Sequence, residues 1–158
     1  MGKIRIAGIE EESIVDGPGI RFVVFTQGCK HNCRGCQNPE SHSFTGGIEM
    51  DIHDIVEKIK ENPLLKGLTL SGGEPFEQTK ACLELAKKVK ELGLSVYCYT
   101  GYTIEEILKD KTKKELLLEL DTIIDGRFVE DKKNLLLKFR GSENQRIINI
   151  NEYRTAWN

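Results

Sequence analysis

Cys29, Cys33 and Cys36 fall within eight residues, in the stretch Gly28-Cys29-Lys30-His31-Asn32-Cys33-Arg34-Gly35-Cys36-Gln37-Asn38-Pro39. Three thiolates this close in sequence can converge on one metal centre. A cubane iron–sulfur cluster normally takes four cysteine ligands. Three would leave one iron with an open coordination position, and open positions are where metal sites do chemistry. The same spacing admits a zinc site completed by His31 or His42. Cys33-Arg34-Gly35-Cys36 also has the spacing of a redox dithiol. The chain's other thiols, Cys82 and Cys98, sit on the apolar face of one predicted helix and inside one predicted strand. They read as buried core residues.

Three further segments carry unusual residues. Gly72-Gly73-Glu74-Pro75 is a plain turn on one reading, with glycines for positive φ and a proline to start a helix. On the other it is a backbone edge laid against a ligand. Gly73 would then allow close approach, and Glu74 or a nearby carbonyl would accept from an ammonium group. Asp125-Gly126-Arg127 would bind a polar ligand or form a salt-bridged turn. Asp16-Gly17-Pro18-Gly19-Ile20-Arg21 is a rigid turn with a charge on each side. The polar run 141–146 reads as a surface loop. His53 reads as solvated, and Trp157 as an anchor for the tail.

These segments need elements to hold them. Ile20–Thr26 is β-branched and aromatic and reads as a buried strand. Asp51 is an N-cap for a helix whose apolar residues are Ile52, Ile55, Val56 and Ile59. Leu68–Leu70 is a strand. A helix from Glu77 to Leu92 presents Cys82, Leu85, Val89 and Leu92, and Gly93 stops it. Leu94–Tyr99 is a strand ending in Thr100-Gly101-Tyr102. Capping boxes at Thr103/Glu106 and Thr112/Glu115 open two short helices. Thr122–Ile124 is a strand, and Ile4–Ile9, Leu135–Phe139 and Ile147–Ile150 are further short ones. Strands alternating with helices imply an α/β fold on a mainly parallel sheet. The cysteine loop and the turns at 72–75, 99–102 and 125–128 each follow a strand. In parallel α/β folds those strand ends share one rim, and the rim carries the site. A complete eight-unit barrel needs about 250 residues, so a partial TIM-like barrel, open on one side, is expected for this chain of 158 residues.

A chain of this length reads as a single domain, residues 1–158. The net charge is -2 and the pI about 6.0, so no basic stripe favours nucleic acid. Apolar runs fall far short of the roughly 20 residues of a membrane span, and residues 1–6 lack a signal-peptide stretch. A cytoplasmic location is expected, where clustered thiols serve metal binding or catalysis rather than crosslinking.

The segments in this order resemble the radical S-adenosylmethionine (SAM) enzymes, and among them the glycyl-radical activases that serve anaerobic ribonucleoside-triphosphate reductase. The resemblance spans Asp16–Arg21, the cysteine trio, Asn38-Pro39-Glu40, Gly46-Gly47, Ser71–Pro75, Tyr99–Tyr102, Asp125–Phe128, Gly141-Ser142 and Asn144-Gln145-Arg146. Pyruvate formate-lyase activase is a relative with a longer chain. The resemblance implies that Cys29, Cys33 and Cys36 hold a 4Fe–4S cluster and that SAM takes the open iron through its amino and carboxylate groups. Gly35, Cys36 and Gln37 would face the adenine through their backbone. Gly35 stands where many of the superfamily have an aromatic residue. Gly72, Gly73 and Glu74 would lie along the methionyl amino group, and Asp125, Gly126 and Arg127 would approach the ribose or carboxylate. The implied reaction is reductive cleavage of SAM to a 5′-deoxyadenosyl radical, which takes a hydrogen atom from a glycine of the reductase. It needs no side-chain acid or base. A low-potential donor such as flavodoxin or ferredoxin would supply the electron. Asp16–Arg21 and the 141–146 loop are expected to line the partner's opening, with Arg21 and Arg146 contributing charge. Another glycyl-radical partner such as pyruvate formate-lyase, a zinc-binding interaction module and a dithiol oxidoreductase remain open from the residues alone.

Overall fold

Near-continuous runs of buried residues, with both strand faces covered, build the centre of the sheet. In the computed structural model, which describes residues 2–29, 46–127 and 144–157, β1 is Lys3–Ser13 and β2 Arg21–Thr26. β3 is Ile48–Asp51, β4 Gly67–Gly72, β5 Ser95–Tyr99, β6 Thr122–Asp125 and β7 Arg146–Asn149. They form one sheet in the order β3-β1-β2-β4-β5-β6-β7. β2, β4, β5 and β6 run parallel. Both flanks are antiparallel: β1 on β2, β3 on β1, and β7 on β6. The fold is therefore α/β on a sheet whose centre is parallel.

The helices follow the apolar spacing closely. α1 is Ile52–Lys60, capped by Asp51, which accepts from the His53 amide, and it buries Ile52, Ile55, Val56 and Ile59. α2 is Thr79–Glu91. It starts later than the spacing predicts, because Pro75–Glu77 forms a separate 3-10 turn. Its buried face is Cys82, Leu85, Ala86 and Val89. Leu92 becomes the C-cap and is exposed, and Gly93 follows at φ +80°. α3, Ile104–Leu108, carries the expected Thr103/Glu106 capping box. α4, Lys111–Leu118, is capped instead by Asp110, whose carboxylate accepts from the amides of Thr112 and Lys113. The Thr112/Glu115 box therefore does not form. A carboxylate two residues earlier starts the helix sooner by accepting from the first free amides, and its charge suits the positive end of the helix. α5, Arg154–Trp157, closes the chain, and Trp157 stacks on Tyr153 and packs against the core. The expected strand 135–139 lies outside the described residues.

One cluster joins these helices to the sheet. It contains Phe22, Val24, Leu68, Leu70, Val96, Cys98 and Ile123 from the strands, with Ile55, Leu85, Val89, Ile107 and Leu116 from the helices. Side chains alternate across a strand. Arg21, Thr69 and Tyr97 therefore point to the opposite face, which is helix-free among the described residues. Among the described residues, no helix is long and apolar enough to cross a membrane.

Candidate metal centre

The parallel strands bring their following turns to one rim, as expected. Cys29 stands just beyond β2, and the Gly72–Glu74 turn is docked on the stem that carries it. The Gly73 amide donates to the Thr26 carbonyl at 2.7 Å, and the Glu74 amide to the Gly28 carbonyl at 2.8 Å. This close approach needs glycine. Gly72 has φ +93°, and a Cβ there would lie 2.5 Å from the Thr26 nitrogen. The sheet registers Gly72 opposite Thr26, which places the two turns edge to edge.

The next turns are braced in the same way. Glu74 is fully buried, and its carboxylate accepts from the Phe76 amide, the Thr100 hydroxyl and the Gly101 amide at 3.0, 2.7 and 2.7 Å. One side chain thus ties the turn after β4 to the turn after β5. Tyr102 repeats the link by donating to Glu77. Burial and that hydrogen bond push the Tyr102 hydroxyl well above its ordinary pKa. Asp125 is also fully buried. It accepts from the Ile104 amide at 2.9 Å and pairs with Arg146, whose guanidinium also grips Glu105 at 2.9 and 3.0 Å. Arg127 lies 3.4 Å from Glu106. Of the two readings open for 125–127, the described geometry is that of a salt-bridged turn.

Asp16–Arg21 does not join this rim. It leads into β2 from the far end of the strands, where the Lys66 amide donates to the Ile20 carbonyl. It then covers the helix-free face as far as Thr69, whose hydroxyl donates to the Asp16 carbonyl at 2.7 Å. Arg21 is not at a partner's opening. It is fully buried, with its guanidinium 4.3 Å from the Tyr97 ring centre. It donates to the Thr69 hydroxyl and to the carbonyls of Pro18, Leu68 and Ser95. Arg146, in contrast, opens β7 beside Asp125 and does lie on the rim.

Cys29 is the described member of the trio. Cys33, Cys36, Gly35 and Gln37 lie outside the described residues, as do His31, His42 and residues 141–143. Among the described residues no group of three His, Cys, Asp or Glu could hold a metal ion. Cys82 and Cys98 are sealed in the core, as expected, and burial raises both thiols far above the ordinary range. They are unsuited to metal binding, which needs thiolate. His53 is exposed on α1. The donor chemistry thus fits a cluster held by the rim loop: a thiol at the strand end, on a stem fixed by backbone hydrogen bonds.

Sequence comparison decides the family. Residues 15–148 match the family described as a 4Fe-4S single cluster domain. An anaerobic ribonucleoside-triphosphate reductase-activating protein of Pasteurella multocida is 36% identical, over 89% of this chain and 94% of its own length. The protein of that name from Haemophilus influenzae is 34% identical, over 84% of this chain and 89% of its own. The chain belongs to this family of reductase-activating proteins. The resemblance drawn from the motifs is borne out at the level of this family, and its 4Fe-4S cluster domain fits the cluster expected at the cysteine trio. A pyruvate formate-lyase-activating enzyme from Clostridium pasteurianum is 39% identical over 66% of this chain, which spans 48% of that longer protein. Among solved structures, QueE from Escherichia coli aligns with 64% of this chain and 54% of its own at TM-score 0.47 and 16% identity, too distant to bear on chemistry.

Two elements of the rim carry no sequence signal of their own. Gln78 stands where a helix usually has Ser, Thr, Asp or Asn, and only that mismatch marks it. Arg5 lies in a strand among other alternating residues. Both act at the stem of the cysteine loop.

Proposed function

We propose that this chain activates anaerobic ribonucleoside-triphosphate reductase by installing a glycyl radical on it. The supporting observation is Cys29 on a stem to which the Gly72–Glu74 turn is hydrogen-bonded directly, in a chain whose relatives are named for that activation. When bound, the cluster and SAM supply a one-electron cleavage that yields a 5′-deoxyadenosyl radical able to take a hydrogen atom from a glycine Cα. Cys29, Cys33 and Cys36 would hold the cluster, and the backbone of Gly35–Gln37 would meet the adenine.

The Glu74 carboxylate is engaged by Thr100 and Gly101. Its part in this reading is to fix the turn so that the backbone of Gly72 and Gly73 faces the methionyl amino group. Asp125, Gly126 and Arg127 would border the ribose or carboxylate, with Asp125 oriented by Arg146. The chain's own task is positioning and exclusion of water around a reactive species. In this reading the sheet is part of a partial barrel whose open side admits the partner's glycine loop at the rim. A single domain, a cytoplasmic setting and a flavodoxin or ferredoxin donor complete the reading.

The test is anaerobic reconstitution with iron and sulfide, then reduction with SAM and the reductase. A broad absorbance near 400 nm and a glycyl-radical EPR signal on the reductase are expected. A radical appearing only on pyruvate formate-lyase would reassign the partner, and a colourless protein with stoichiometric zinc would sink the cluster reading. Full activity and cofactor content in Cys29→Ala would favour the dithiol.

A further inference from the structure

Gln78 occupies the residue that caps α2, yet its side chain makes no capping bond. It reaches away from the helix. Its oxygen accepts from the Arg5 amide at 2.9 Å, and its nitrogen donates to the carbonyls of Arg5 and Gln27 at 2.7 and 2.9 Å. A shorter Ser, Thr or Asp would serve the helix better but would fall short of these partners. The local rule is broken at a residue whose amide instead joins three elements, a pattern that marks functional positions.

Those partners join the two ends of the cysteine-bearing loop. Gln27 precedes Gly28 and Cys29, and its amide donates to the Arg5 carbonyl at 3.0 Å. The Arg5 carbonyl therefore receives both Gln27 and Gln78. At the loop's other end, the Arg5 guanidinium donates to the Gly46 carbonyl at 3.1 Å. Gly47 turns there at φ +73°, where a Cβ would lie 2.3 Å from the Ile6 carbonyl oxygen and 3.0 Å from the Gln27 side chain. Departure and return of the loop thus meet on Arg5 and Ile6, and Gln78 closes that junction from the side of α2.

We propose that Gln78 is a positioning residue for the cluster: it fixes the stem of the cysteine loop, and through the stem the direction of Cys29. This rests on the iron–sulfur reading above. The cap of α2 is well placed for the task, because only the 3-10 turn Pro75–Glu77 separates it from the turn whose backbone also holds the stem. One helix start would then set both the Cys29 side and the Gly72–Glu74 side of the rim.

The test uses Gln78→Leu, which removes all three bonds, and Gln78→Ser, which removes them while supplying an ordinary helix cap. Hydrogen exchange is read at the Gln27 amide and, as reference, at Leu70 in β4. In loaded protein, bleaching of the cluster by a chelator is timed, and the EPR spectrum of the reduced cluster is recorded with and without SAM. Both variants should exchange roughly tenfold faster at Gln27 and lose iron roughly tenfold faster. Leu70 exchange should be unchanged, and Gln78→Ser should melt close to the wild type. Unchanged exchange at Gln27 overturns the staple. Faster exchange with unchanged bleaching and EPR overturns its link to the cluster. Acceleration at Leu70 as well reduces Gln78 to a general stabiliser and also overturns the proposal. If the wild type itself takes up no iron, the functional reading fails, while the exchange data still decide the staple.

Discussion

Arg21 and Arg146 show how the same residue type divides into two roles by its place on the sheet. Arg21 is buried against Tyr97 and satisfies carbonyls on three segments. Removing such a charge strands its partners. Arg21→Met should cost about 3 kcal/mol, a fall in melting temperature of roughly 6–12 °C, and Arg21→Glu should fail to fold. Arg146 is half exposed and clamps Asp125 and Glu105. Arg146→Glu should therefore yield folded protein with a smaller fall in melting temperature, while weakening cofactor or partner binding at the rim. Equal melting losses in the two reversals would contradict this division. Gly72 has a sharper requirement, since a Cβ would press on the Thr26 nitrogen. Gly72→Ala is expected to cost about 2–4 kcal/mol, read by thermal or denaturant unfolding, and to loosen the stem that holds Cys29.

Between elements, Asp121 is one electrostatic link of the described structure. It pairs with Lys90 of α2 at 2.6 Å and accepts from the Val96 amide of β5 at 2.7 Å. Burial pushes its carboxyl upward, but Lys90, the Val96 amide and Asn151 together outweigh that and hold it below the ordinary range. A depressed folded pKa means that this stabilisation is complete above the unfolded value of about 3.9 and is lost as pH falls through the folded one. Melting followed from pH 6 to pH 2 should show a shallower acid decline in Asp121→Asn than in the wild type. An unchanged slope would remove Asp121 from the acid response. Local signals read this level well where they are local. The Ile52–Ile59 spacing, the Asp51 cap, the Thr103 box and Gly93 each act within one turn of chain, and each appears as expected. Asp110 displaced Thr112 because two caps two residues apart competed to start the same helix, a contest that composition does not rank. The antiparallel pairings of β1, β3 and β7 depend on partners far along the chain. So do Gln78, Arg5 and buried Arg21, whose meaning lies in what they touch. The rim itself was legible because parallel strand order converts sequence position into spatial position.

At the scale of the molecule, the helices and their core take one face of the sheet, while the Asp16–Arg21 turn lies on the other. Under the proposed function, a site on the rim of such a sheet would face a large partner, as activation of a protein substrate demands. The core also isolates two of the five cysteines. Thiol titration with a disulfide reagent should rise by two groups when the apo-protein is denatured, and mass mapping should place those groups at Cys82 and Cys98. Labelling of either in native protein would contradict their burial. The raised thiols have a consequence for biogenesis. An iron–sulfur protein must receive soft, promiscuous ions without capturing them on the wrong sulfur atoms. Here the fold sorts its own ligands before any iron arrives, by keeping two thiols protonated and out of reach. Assembly errors are thereby confined to the loop where the cluster belongs.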